Sequence, residues 1–249
     1  MFDSYIAIGD SFTEGIGDWT GPESPRGWAD RLAQALRESS DSPFLYANLA
    51  IRGRKLLPLL TEQLPVALQQ KPSLISINGG GNDMLRPGFE VSKNLDLLFE
   101  GVQQATDAGV HVLLLAGPDA SQNLPLGHVF HERGSEFTDA TAQMAAGLPM
   151  VTFVDNFHDG GFSDTSYWSQ DGLHLSSAGH LRVAANCAAA LGAPLPDFWP
   201  DPFAPEPDPK RYDSASYMRT YVAPWIGRRL TGRSSGDGRS AKRPVLRPL

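Results

Sequence analysis

The sequence predicts an α/β fold, a three-layer sandwich around a central parallel five-stranded sheet. Two observations carry this expectation. The first is a series of short, almost continuously apolar runs at Tyr5–Ile8, Phe44–Ile51, Leu74–Ile77, Val110–Ala116 and Met150–Val154. Strands apolar on both faces belong to parallel sheets covered by helices on either side. The second is the longer amphipathic stretches between the runs. In Val91–Asp107 the apolar residues Val91, Leu95, Leu98, Val102 and Ala105 fall at steps of four, three, four and three, which is one helical face. Trp28, Leu32, Ala35 and Leu36 make a similar stripe ahead of the second run. Ser176 and Ser177 can start a last helix that carries Leu181, Ala184, Ala185 and Ala188 and runs to Leu191. Ligands of open α/β sheets bind beyond the carboxyl ends of the strands, so chemistry is sought in the residues just after each run.

The 249 residues are 41% hydrophobic and 20% charged, a globular composition that excludes wholesale disorder. No stretch approaches the ~18 apolar residues of a membrane span. The first ten residues, MFDSYIAIGD, have neither a basic n-region nor a long apolar h-region. A cytoplasmic location is the expectation. A single cysteine, Cys187, excludes an intrachain disulfide and a multi-cysteine metal site. The net charge of -7 is uneven: residues 225–249 carry +6, leaving -13 on the rest. An acidic body is a poor nucleic-acid binder, and only the tail could attract polyanions.

Composition also suggests a division of the chain. Residues 1–192 hold the alternating pattern. Residues 193–230 begin with seven prolines between 194 and 209, which read as an extended strap. A further helix is expected over Tyr212–Leu230, interrupted at Pro224. Residues 231–249 are rich in Gly, Ser, Arg and Lys and read as a basic, flexible tail.

Four short pieces stand out at the expected edge of the sheet. Ser11, in Gly9-Asp10-Ser11, just follows the first run and is either a helix N-cap or a nucleophile. Asp171-Gly172-Leu173-His174 precedes the last helix. It can serve capping, or it can supply a base and the carboxylate that orients it. Gly79-Gly80-Gly81-Asn82-Asp83 follows the third run. Its glycines allow a sharp turn, and Asn82 either makes an Asx-type turn or points its amide at a developing oxyanion. Gly53 follows the second run, as a plain turn glycine or as a source of an unobstructed backbone N–H.

Together the four pieces resemble the blocks of the GDSL esterases and lipases, in the SGNH hydrolase branch. The blocks read here as Gly-Asp-Ser-Phe-Thr-Glu-Gly with Ser11, Asn-Leu-Ala-Ile-Arg-Gly with Gly53, Gly-Gly-Asn-Asp with Asn82, and Asp-Gly-Leu-His with Asp171 and His174. Phe12 stands where the family name has leucine. The resemblance covers residues 1–191 and implies a flavodoxin-like SGNH hydrolase fold. The tail looks like those of actinobacterial members. The resemblance further implies a serine esterase acting on small acyl or acetyl esters, with Ser11 as nucleophile, His174 as base and Asp171 as its orienting carboxylate. Ser11, Gly53 and Asn82 would form the oxyanion hole. No metal or organic cofactor is implied, and the partner is a small-molecule ester. Acyl transfer to an alcohol or sugar, or deacetylation of a carbohydrate, fits the same acyl-enzyme.

Substrate preference is expected to lie in the loops Leu124–Phe137 and Phe157–Ser169, where Phe130, Phe157, Phe162, Tyr167 and Trp168 either line a site or pack the loops down. Trp168, three residues ahead of Asp171, is the expected lining residue. Other candidates have plainer readings. Gly232-Arg233-Ser234-Ser235-Gly236 matches a G-x-S-x-G string but lacks a preceding strand. His128, His131 and Glu132 lack a placed third metal ligand. His180 reads as a helix surface or packing residue, Cys187 as buried and inert, and Asp83 as a brace for the Asn82 turn.

Overall fold

The computed structural model describes residues 2–40, 43–124, 127–204, 220 and 234–249. The strands are β1 (Ser4–Ile8), β2 (Leu45–Asn48), β3 (Leu74–Ile77), β4 (His111–Ala116), β5 (Val151–Asp155) and β6 (Arg243–Pro248). They form one sheet in the order β5-β4-β3-β1-β2-β6. The first five are parallel, and β6 lies antiparallel against β2. The sheet therefore has six strands where the sequence predicts five. The extra strand comes from the segment expected to be a flexible tail. Its Arg-Pro-Val-Leu-Arg-Pro sequence reads as tail by composition, yet Pro is tolerated on an edge strand. The expected strap and the Tyr212–Leu230 helix fall largely outside the described residues.

The helices are α1 (Ser11–Glu14), α2 (Trp28–Glu38), α3 (Leu56–Pro58), α4 (Leu64–Gln69), α5 (Gly81–Met84), α6 (Val91–Asp107), α7 (Gly127–Ala146) and α8 (Ser177–Ala190). A π-type turn, Leu59–Gln63, joins α3 to α4. Strand periodicity sorts the core into two layers. Tyr5, Ala7, Leu113 and Leu115 face α2 and α8, where Trp28, Leu32, Val183 and Ala184 meet them. Ile6, Ile8, Ile75, Ile77, Val112 and Leu114 face the other side, against Leu59, Leu64, Leu98, Val102 and Phe137. Both faces of the central strands are buried, which is why their sequences are continuously apolar.

The chain runs outward from β1 in both directions, to β2 on one side and β3 on the other. This places a crevice beyond the carboxyl ends of β1 and β3. A buried ion cluster anchors the loop that follows α1. Asp18, 1% exposed, accepts from Arg26 Nε at 3.0 Å and Nη2 at 2.9 Å, from Arg31 Nε at 3.0 Å and from the Gly27 amide at 3.2 Å. Burial alone would raise its pKa. The two guanidinium groups outweigh that and hold the carboxyl well below the usual range. Removing one member of such a cluster strands buried charge. Asp18→Ala is therefore expected to cost about 3–5 kcal/mol, read as a lower midpoint in urea unfolding. A loss under about 1 kcal/mol would show that the cluster contributes little.

Candidate active site

β1 ends at Ile8 and the chain turns at Gly9. A Cβ there would lie 2.3 Å from Thr13 Oγ1 and 3.0 Å from the Asn78 carbonyl, so only glycine fits. The Gln63 carboxamide grips this residue from both sides. Its Oε1 accepts from Gly9 N at 2.9 Å and its Nε2 donates to Gly9 O at 3.0 Å. Asp10 is the N-cap of α1, its Oδ1 accepting from Phe12 N at 3.1 Å. Capping thus falls to Asp10 rather than to Ser11. Ser11 opens the helix, and its Oγ has no hydrogen-bond partner among the described residues.

Asp171 and His174 sit in the loop before α8. This loop is pinned by Ser169 N donating to His174 O at 2.8 Å and by Ser176, which caps α8 through Gly179 N. Asp171 Oδ2 lies 2.6 Å from His174 Nδ1. Its Oδ1 accepts from Ser169 Oγ at 2.7 Å, His174 N at 2.9 Å and Leu173 N at 3.0 Å. Burial pushes the Asp171 pKa up. The His174 imidazole and these donors overcome it and keep the carboxyl well below its ordinary value. An ionised Asp171 fixes the proton on Nδ1 and leaves Nε2 as an acceptor.

Asn82 lies in α5, just after β3 and the left-handed Gly80 (φ 98°). Its Nδ2 donates to Asp10 Oδ2 at 2.8 Å and to Arg54 O at 3.0 Å, so both amide hydrogens have acceptors. Asp83 accepts from Leu56 N at 3.0 Å. It braces the start of α3 rather than the Asn82 turn. Gly53 (φ 75°) lies in the turn between β2 and α3. Its N–H has no acceptor among the described residues. The turn is tied to α1 by Arg52, whose amide donates to Glu14 Oε2 at 2.7 Å and whose guanidinium pairs with the same carboxylate.

Ser11, Asn82 and His174 line one cavity of about 140 Å³, whereas Gly53 lies outside its lining. The walls are apolar, with Leu114, Phe130, Phe137, Phe157 and Trp168 among them. Trp168 is 3% exposed and its indole N–H donates to Phe162 O at 2.8 Å. Phe162 and Tyr167 pack in the core instead. The expected loop Leu124–Phe137 is mostly the first half of α7. Its sequence carries no clean apolar stripe, so the helix is not evident from periodicity. Sequence reasoning also missed Gln63 and the Asp10–Asn82 contact, for which spacing offers no signal.

A hydrogen-bonded Ser–His–Asp chain exists at the surface, outside the lining of this cavity. Ser135 Oγ lies 3.2 Å from His158 Nε2, and His158 Nδ1 lies 2.8 Å from Asp155 Oδ2. Ser135 sits inside α7, where its own N–H belongs to the helix ladder and is not available as an oxyanion donor. His131 pairs with Asp119 at 2.7 Å, and no group of three metal-binding side chains occurs among the described residues. His180 is fully buried between Trp28 N and the Ile16 carbonyl. Cys187 is buried, which pushes its thiol pKa up.

Residues 7–182 match the profile of the GDSL-like Lipase/Acylhydrolase family. The chain belongs to this family of ester hydrolases. Solved structures share its fold. Among them is TesA, at 25% identity and a TM-score of 0.61, covering 76% of this chain and 97% of that one. The lipase Lip_vut3 from a goat rumen metagenome is 20% identical with a TM-score of 0.63, covering 78% and 99%. The acetylxylan esterase Axe2 from Geobacillus stearothermophilus is 18% identical with a TM-score of 0.60, covering 78% and 95%. No curated protein sequence matches the chain. None of the helices among the described residues is long and apolar enough to cross a membrane.

Asp10 gives this GDSL-family site a pH signature. Burial pushes its pKa up to about 6, against the opposing Phe12 amide, His174 and Asn82. In the unfolded chain the value is about 3.9. Between these pH values the folded protein keeps a proton that the unfolded chain has lost, so stability falls as pH rises through that window and levels off above it. Asp10→Asn cannot ionise and lacks this contribution. The wild type is expected to lose about 1–3 kcal/mol relative to the variant between pH 4 and pH 7, measured by urea unfolding at each pH. Parallel stability curves would remove Asp10 as the source.

Proposed function

We propose that this family member is a serine esterase that cleaves carboxylic esters of small acyl groups through an acyl-enzyme on Ser11. One observation carries the reading. The Ser11 hydroxyl, without a partner among the described residues, shares a cavity with a histidine whose far ring nitrogen is held by Asp171 at 2.6 Å. A serine hydroxyl needs a base to become a nucleophile, and a neutral imidazole in a fixed tautomer is such a base. In this mechanism His174 Nε2 takes the proton as Ser11 Oγ attacks the ester carbonyl. His174 then returns the proton to the leaving alcohol. Water repeats the sequence on the acyl-enzyme and releases the acid. Ser11 and His174 share the cavity without a hydrogen bond between them, and in this mechanism the contact tightens with substrate in place.

The oxyanion formed in each step would be held by the Ser11 N–H, by the Asn82 amide and, from the adjoining turn outside the cavity lining, by the Gly53 N–H. Asn82 would share or exchange its bond to Arg54 O or Asp10 as the charge develops. Preorganised donors of this kind are each worth roughly 10²–10³ in rate. The apolar walls around Leu98, Leu114, Phe137 and Thr141 support placing the acyl group there, away from water.

Ser11→Ala is expected to lose covalent labelling by a fluorophosphonate and to lower hydrolysis of p-nitrophenyl esters by roughly 10⁴-fold or more. Full labelling of the variant would remove Ser11 as nucleophile. In a series of p-nitrophenyl esters, Thr141→Leu, which narrows the cavity, should shift preference toward the shortest acyl group. An unchanged chain-length profile would place the acyl group elsewhere.

A further inference from the structure

The C-terminal segment lies outside residues 7–182, yet it packs against the turn that carries Gly53. Ser234 Oγ donates to the Gly53 carbonyl at 3.2 Å. A Cβ on Gly53 would sit 2.3 Å from Ser234 Oγ and 2.9 Å from Ser235 Oγ. Gly236 is buried against the preceding peptide, and a Cβ on it would meet the Arg52 carbonyl at 2.1 Å. The segment forms a closed turn of its own. Ser234 N donates to Asp237 Oδ2 at 2.8 Å and Gly236 N to Ser234 Oγ at 3.2 Å.

The same segment is anchored further along. Lys242 Nζ is surrounded by the carbonyls of Glu14 (2.6 Å), Pro25 (3.0 Å) and Arg26 (2.6 Å) and by the Asp30 carboxylate. Its ammonium thus ties the end of α1, the helix that Ser11 begins, to the start of α2. Arg243 Nε donates to Tyr46 O at 2.9 Å, and β6 pairs with β2. These contacts make the segment a built part of the domain, which the G-x-S-x-G string hides.

We propose that Ser234 and Gly236 are positioning residues for the ester hydrolysis, fixing the Arg52–Gly53–Arg54 main chain through its Gly53 and Arg52 carbonyls. This positioning role depends on the proposed part of the Gly53 N–H and Asn82 in the oxyanion hole. Both donors depend on this one turn. Gly53 belongs to it, and Asn82 is held by its Arg54 carbonyl at 3.0 Å. A glycine at φ 75° rotates easily when its neighbours release it. The Ser234 hydroxyl and the close seat of Gly236 remove that freedom before substrate arrives.

The test uses the full-length protein. Ser234→Ala and Gly236→Ala are each expected to lower kcat about tenfold with KM nearly unchanged, because the interaction acts on the transition state. Ser234→Thr, which keeps the hydroxyl, should restore most of the rate. Val245→Thr, at an exposed position of β6, should match the wild type. Thermal midpoints of all four identify any variant that merely fails to fold. Amide hydrogen exchange over residues 51–54, read without substrate, should accelerate in Ser234→Ala. Wild-type kcat and unchanged exchange in both Ser234→Ala and Gly236→Ala overturn the proposal. If exchange accelerates but no form of the protein, wild type included, cleaves esters or labels at Ser11, the esterase reading fails while the brace on the turn stands.

Discussion

The site depends on how the main chain leaves β1. Gly9 is crowded by Thr13 and by the Asn78 carbonyl and is clasped by the two polar ends of the Gln63 side chain. A buried peptide group needs partners for both its donor and its acceptor. Here one carboxamide supplies both, just past the point where the ladder with β3 runs out. With Gly9 fixed, Asp10 can cap α1 and Ser11 emerges at the crevice between the two halves of the sheet. The π-type turn over Leu59–Gln63 gives Gln63 its place. An irregular helix far along the chain thus sets the direction of the proposed nucleophile.

Four aspartates show how environment divides one residue type. Asp18 and Asp171 are held well below the ordinary carboxylate range, by two arginines in one case and by an imidazole with several donors in the other. Asp10 and Asp30 are pushed up to about 6, because burial outweighs what their partners return. Among the described residues the Asp10 carboxylate accepts from Phe12 N and Asn82, and Asp30 faces Lys242. Burial without full compensation is common near functional groups. The carboxylate beside the proposed base, Asp171, occupies the compensated end of this range.

Much of the central architecture was legible, for a physical reason. Ile6, Ile75 and Val112 are fully buried on one face of the sheet while Tyr5, Leu74 and Leu113 are fully buried on the other. Burial on both faces leaves an unbroken apolar run that needs no tertiary knowledge to recognise. The blocks around Ser11, Asn82 and His174, which line one cavity, were legible because ligand sites of open α/β sheets lie in the short loops at strand ends. What stayed hidden depends on distant partners. Gln63 reads as one polar residue in a helix, and Asn48, fully buried and donating to Thr13 O at 3.0 Å, reads as the end of a strand. The described part of the tail was misread because Arg, Lys, Gly and Pro resemble a solvated segment. Only the carbonyls around Lys242 and the open side of β2 show why that sequence can be ordered.

β6 has one more consequence. β2 holds β1 on one side, and without β6 its other side would present bare peptide groups to solvent. Such a margin invites strand addition from a second molecule. The antiparallel cover, with two prolines and two arginines, satisfies β2 and then offers a newcomer few amide hydrogens and much positive charge. The last strand therefore leaves the margin of the sheet poorly suited to receiving a further strand.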